Sequence, residues 1–131
     1  MQQTVTILGA GSWGTALGIV LADNGHTVKI WGHELEHVNE INREQANTRY
    51  LPDVKLPSSI HAYYDLEEAM SGSEVIVFAV PTKAIREVAR KVKEIAKVAK
   101  NEIVLSLAEK GVDIILEDTE SRMDLLMNVD T

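Results

Sequence analysis

An α/β fold, a doubly wound and mainly parallel sheet with helices on both faces, is predicted for this 131-residue chain by three observations. Strand-like and helix-like runs alternate from residue 4 onward. A glycine-rich turn joins the first strand to the first helix. The run VIVFAV at residues 75–80 is apolar throughout, as a strand buried on both faces should be.

The elements follow in order. Val5, Thr6, Ile7 and Leu8 form a β-rich run ending at Gly9, a first strand. Over residues 12–24, Ala16, Leu17, Val20 and Leu21 recur at helical spacing, and Gly25 supplies the stop. TVKIW at residues 27–31 reads as a second strand. Leu35, Val38 and Ile41 predict a helix over residues 34–43. A loop containing Pro52 and Pro57 leads to a short strand near residues 60–62, and Asp65 is placed to cap a brief helix ending at Met70. Pro81 closes the apolar strand. Ile85, Val88, Val92, Ile95 and Ala99 then form the stripe of a long helix with Lys and Arg on its other side. Residues 103–107 predict one more strand. The sheet domain is expected to occupy residues 1–112, and residues 113–131 an acidic, partly helical tail too short for another domain.

Composition narrows the function classes. With no cysteine the chain has neither disulfides nor a thiolate zinc site, which suits a reducing cytoplasm. The first residues show no signal-peptide pattern, and no apolar stretch reaches the length of a membrane span. A net charge of −7 argues against a nucleic-acid scaffold. The basic surface of residues 86–100 reads more simply as the solvated outer face of a helix.

The chemistry concentrates in Gly9-Ala10-Gly11-Ser12-Trp13-Gly14, which matches G-x-G-x-x-G. Alone the string is weak. Following a strand and opening a helix inside a βαβ unit, it becomes the signature of a Rossmann-type dinucleotide site. Gly9 permits the tight turn out of the strand. Gly11 presents no side chain to hold off a diphosphate, and Gly14 lets helix and strand pack closely. The phosphates then sit at the positive end of the helix dipole, where free N–H groups need acceptors. The bland alternative is a glycine turn with no ligand. A Walker A loop is excluded, because no Gly-Lys-Ser/Thr follows.

About 20 residues on, an Asp or Glu would hold the ribose hydroxyls of NAD. Here the second strand ends in Trp31-Gly32-His33-Glu34. His33 is placed to stack on adenine or to donate to a 2′-phosphate, and Glu34 to start the next helix, so NAD and NADP both remain open. His33-Glu34-Leu35-Glu36-His37 also matches H-E-x-x-H, a zinc-hydrolase motif. That chemistry needs both histidines within a helix and a third ligand, whereas His33 falls at a strand–helix junction. Coincidence is the better reading.

Longer motifs carry a resemblance. GAGSWGTAL (residues 9–17), LADNGHTVKIWGH (21–33), NTRYLPDVKLP (47–57), AVPTKAIREV (79–88) and EKGVD (109–113) are similar to the N-terminal domain of bacterial-type NAD(P)-dependent glycerol-3-phosphate dehydrogenases, over roughly residues 4–113. The resemblance implies that Ser12 and Trp13 lie against the cofactor phosphates and that His33 sits near the adenosine. It also puts Tyr50 in a loop near the cofactor and Pro81 beneath the nicotinamide half, and has Lys110 contact both cofactor and substrate. It implies a cytoplasmic enzyme that moves hydride between NAD(P)H and dihydroxyacetone phosphate, giving sn-glycerol 3-phosphate, as a homodimer when full-length. The family's second, helical domain, which holds the catalytic lysine, has no counterpart here. The chain is therefore expected to be a cofactor domain that binds NAD or NADP with little or no turnover. Two other readings stay open: a stand-alone, non-catalytic dinucleotide-binding module, and a related dehydrogenase acting on a hydroxy acid. NTRYLP and EKGVD weigh against the latter.

Overall fold

The computed structural model describes residues 2–98. They form two compact units that divide after Val80. The strand expected at residues 103–107, Lys110 and the tail lie outside the described residues.

The first unit is a parallel sheet in the order β3-β2-β1-β4. Its strands are β1 (Thr4–Leu8), β2 (Thr27–Trp31), β3 (Ile60–Tyr63) and β4 (Val75–Phe78). Between them run α1 (Ser12–Asp23), α2 (Leu35–Glu44) and α3 (Leu66–Met70). The registers Leu8↔Trp31, Leu8↔Phe78 and Trp31↔Tyr63 leave the carboxyl ends of all four strands level. The chain winds outward from β1 to β3, then returns to the other side of β1. The crevice beyond β1 and β4 is thus the point where strand order reverses, the place where open α/β sheets bind ligands.

Alternation along the strands puts helices on both faces. Ile7, Val28 and Ile30 turn to α1, and a Cβ built on Gly18 of that helix would meet all three. Thr6 and Lys29 turn to the other face. There Thr6 Oγ1 donates to the Ala69 carbonyl at 2.6 Å and also bonds Ser73 Oγ, pinning α3 to the central strand. Lys29 Nζ donates to the carbonyls of Glu68 and Ser71, both at 2.8 Å, which would otherwise end α3 unpaired. Burial holds the Lys29 ammonium below its ordinary range, and Glu68 pulls it only part of the way back.

At the outer edge of β3, Asn42 of α2 accepts from the Ala62 N–H at 2.8 Å and donates to the Ala62 carbonyl at 2.9 Å. A side-chain amide thereby occupies an edge that would be free to pair with another strand.

The elements expected from the sequence appear with shifts of a residue or two. The apolar strand stops at Phe78 rather than residue 80, and it is half-buried rather than buried on both faces. Among the described residues β4 is an edge strand, which accounts for its exposure. Asp65 occupies the N-cap of α3 but makes no side-chain cap bond. The inward side of α1 is Gly14, Thr15 and Gly18, while Val20 faces solvent. Leu17 and Leu21 of the expected stripe pack, partly buried, against the core beside them, so close backbone approach and bulk together set the phase of this helix. In α2, His37, Val38 and Ile41 are buried and Leu35 is exposed.

In the second unit a 3-10 turn (Thr82–Ala84), closed by Ala84 N–H to the Pro81 carbonyl at 2.8 Å, enters α4 (Ile85–Val98). Val88 and Val92 are buried, as the apolar stripe predicts, and Ala89 beside them, while Arg86, Arg90 and Lys91 are exposed.

Candidate dinucleotide site

The loop at the switch point is built from three glycines with three different reasons to be glycine. Gly9 has φ +135°, and a Cβ there would collide with the Ala79 carbonyl. Its N–H donates to the Trp31 carbonyl at 3.0 Å, so the turn leaves β1 while still bonded to β2. A Cβ on Gly14 would strike the Gly9 carbonyl oxygen. Both residues are thus demanded by the fold itself.

Gly11 is different. Its φ of −85° and ψ of −169° are open to any residue, and a Cβ built on it meets nothing within 4 Å. Neither backbone strain nor protein packing requires glycine here. What the missing side chain leaves is open space directly before a helix.

That helix begins without a cap. Gly11 offers no side chain to the first-turn amides, and no acidic residue stands in the first turn of α1. The Gly11 carbonyl accepts from Thr15 N–H at 3.1 Å, the first helical bond. The amides of Ser12, Trp13 and Gly14 precede that bond and meet no side-chain cap, so the positive helix end faces the space beside Gly11. An anion suits it electrostatically. Ser12 is exposed, and the Trp13 side chain stands open to solvent with the residue 67% exposed.

Gly32 continues the site along the sheet edge. Its N–H donates to the Tyr63 carbonyl at 2.9 Å, and a Cβ there would crowd Val38 and Ala10 at 3.0 and 3.3 Å. His33 follows, its side chain fully in solvent and 3.7 Å from the Glu34 carboxylate. It lies before α2, outside the helix, as the strand–helix junction implied. Its H-E-x-x-H partner His37 is buried, with Nε2 2.8 Å from Asn47 Oδ1. The two histidines therefore share no helical face. Among the described residues no group of three or more His, Cys, Asp or Glu side chains is placed to hold a metal.

Tyr50 lies in the turn after α2, half-exposed, its ring centroid 5.3 Å from that of His37. Arg49 bridges to Glu34 at 3.3 Å and Glu40 at 3.6 Å, tying the turn to α2. Such exposed pairs contribute only about 0–1 kcal/mol. The structure thus brings Gly9, Gly11, Ser12, Trp13 and Gly14 into one loop, with His33 at the end of the neighbouring strand. Pro81, exposed, opens the 3-10 turn of the second unit.

One residue of the site was missed by sequence reasoning. Asn47 is 1% exposed and reaches 37 residues back along the chain to bond the Ala10 carbonyl at 2.8 Å. Its only trace in the sequence is its place at the head of NTRYLP.

A sheet ordered 3-2-1-4 with a glycine loop at its reversal point defines a Rossmann-type domain, the α/β class that receives dinucleotides at its strand carboxyl ends. More particularly, residues 4–129 match the family described as NAD-dependent glycerol-3-phosphate dehydrogenase N-terminus, and the chain belongs to that family. The chain is 51% identical over 112 residues to glycerol-3-phosphate dehydrogenase [NAD(P)+] of Streptococcus suis strain 05ZYH33, covering 86% of this chain and 32% of the relative. Against the Geobacillus thermodenitrificans enzyme of the same name, identity is 58% over 87 residues, 66% of this chain and 25% of the relative. The crystal structure of glycerol-3-phosphate dehydrogenase from Coxiella burnetii superposes with a TM-score of 0.69 at 42% identity, over 72% of this chain and 29% of that one. The Saccharomyces cerevisiae glycerol-3-phosphate dehydrogenase structure gives 0.64 at 27% identity, over 71% of this chain and 30% of that one. The chain spans about a third of the length of the curated relatives it matches.

Proposed function

We propose that this chain is the NAD(P)-binding part of an sn-glycerol-3-phosphate dehydrogenase. Family membership supports the reaction class. The observation that carries the binding site is Gly11, a glycine that neither backbone nor packing explains, standing in open space before an uncapped helix. The residues fit a dinucleotide: the amides of the loop and first turn receive the diphosphate, Ser12 and Trp13 lie against it, His33 stands on the adenosine side, and Tyr50 lies in a loop near the cofactor. Pro81 is assigned to the nicotinamide half and Lys110 to cofactor and substrate contact, by resemblance of their motifs. When bound, the dinucleotide supplies the hydride exchanged with dihydroxyacetone phosphate or sn-glycerol 3-phosphate; this chain's residues bind and orient it. Among the described residues no helix is long and apolar enough to cross a membrane. The cytoplasm and a homodimeric full-length enzyme belong to the same reading.

Titrating the purified chain with NAD, NADH, NADP and NADPH tests the proposal. Trp13 is open to solvent and Trp31 is buried, its Nε1 donating to the Tyr64 carbonyl at 2.9 Å, so a ligand on the loop alters the fluorescence of Trp13 selectively. Saturable binding of at least one dinucleotide is expected, with the emission change smaller in Trp13→Phe. No binding of any of the four would contradict the proposal. Assaying dihydroxyacetone-phosphate-dependent NADH oxidation separates a catalytic chain from a binding module.

A further inference from the structure

We infer that Asn47 is a positioning residue for the dinucleotide loop: its buried carboxamide sets the direction in which the Gly11 amide points. The inference rests on the dinucleotide-binding reading above.

A side-chain amide has two N–H donors on nitrogen and an acceptor oxygen, and Asn47 uses all three functions. Nδ2 donates to the Ala10 carbonyl and to Thr15 Oγ1, both at 2.8 Å, and Oδ1 faces His37 Nε2 at 2.8 Å. The amide cannot be turned over, because Oδ1 would then confront the Ala10 carbonyl, oxygen against oxygen. His37 must therefore donate from Nε2. All three partners lie within the first unit, and each belongs to a different part of the site: the glycine loop, the first turn of α1, and α2 below the turn that carries Tyr50.

The consequence for the ligand comes from peptide geometry. In a planar trans peptide the carbonyl and the following N–H point in opposite directions. Drawing the Ala10 carbonyl inward to Asn47 turns the Gly11 N–H to the opposite side of the peptide, away from Asn47. A buried, fully satisfied polar network holds one orientation rather than several, and a preorganised donor binds its anion without first being ordered. Simple core filling would explain burial. It would not explain why both side-chain polar atoms of Asn47 go to partners around the loop, Ala10, Thr15 and His37.

Asn47→Asp is the direct test. The shape is kept, but a carboxylate oxygen replaces the donor to the Ala10 carbonyl and repels it. The 131-residue chain and its variant are compared by NADH titration well below the unfolding transition, after circular dichroism has shown that both are folded. Amide spectra of both ligand-free proteins are recorded alongside. We expect the NADH Kd to rise about tenfold or more, and the Gly11 and Ser12 amide resonances to move. A residue that only supports the fold would lower the unfolding midpoint and leave Kd and those resonances unchanged; either an unchanged Kd or unmoved resonances would overturn the inference. His37→Leu should also weaken NADH binding, with His37→Gln, which can still donate to Oδ1, restoring most of it; equal Kd in the two would overturn the relay. Should Asn47→Asp not fold, Thr15→Val, which removes only the hydroxyl partner, carries the same test with a loss of about threefold, and an unchanged Kd counts against Asn47. If the wild-type chain bound no NADH, the functional reading would fail by itself, and the ligand-free resonances would decide the role of Asn47.

Discussion

Residues of the same type carry different work in the glycine loop. Gly9 is held at φ +135° with no room for a Cβ, so Gly9→Ala is expected to destabilise the fold by about 2 kcal/mol or more. Chemical denaturation checks this; a loss under about 0.5 kcal/mol would mean that the turn relaxes freely. His33 belongs to the opposite category. Its side chain lies 3.7 Å from the Glu34 carboxylate and is 81% exposed, so its replacement should leave stability unchanged and act on cofactor choice. On the proposed reading His33→Asp brings a carboxylate to the ribose side. The ratio of the NADPH Kd to the NADH Kd should then rise by about tenfold. A ratio that does not move would remove His33 from that position.

Elements are phased here by close approach as much as by apolar periodicity. The stripe of Ala16, Leu17, Val20 and Leu21 is legible as a helix, and Leu17 and Leu21 do pack on the core, but the buried positions against the sheet are Gly14, Thr15 and Gly18. Small residues carry no hydrophobic signal, so the helix could be read without its orientation. Gly18 gives a test of this packing. A Cβ there would lie 3.4 Å from Ile7, Val28 and Ile30 side-chain carbons, at the near edge of ordinary contact. Gly18→Ala should gain up to about 1 kcal/mol from helix propensity, with the thermal midpoint rising. A clear loss would show that α1 lies closer to the sheet than described. In α2 the opposite error arose: His37 is inside and Leu35 outside. The buried bond to Asn47 settles that phase, and no local pattern announces a partner ten residues away.

For the whole molecule, the parallel sheet and its glycine loop were legible because they rest on local signals, a β-rich run, a turn and a helix stopped by Gly25. What stayed hidden depends on contacts distant in sequence. Asn47 reaches Ala10 across 37 residues, and β4, an edge strand among the described residues, proves half-buried. Thr6, at the centre of the first strand, was read only as a β-former, yet it binds α3 through Ala69 and Ser73. Thr6→Val should cost about 1–3 kcal/mol, by leaving buried polar groups without their partner; equal unfolding midpoints would deny that role.

On the proposed reading Gly11 is glycine for a ligand's sake. Calorimetric titration of NADH into the wild-type chain and into Gly11→Val tests it most directly. A folded variant with an unfolding midpoint close to wild type and no measurable NADH affinity is predicted. A variant that binds NADH as tightly as the wild type would contradict the claim.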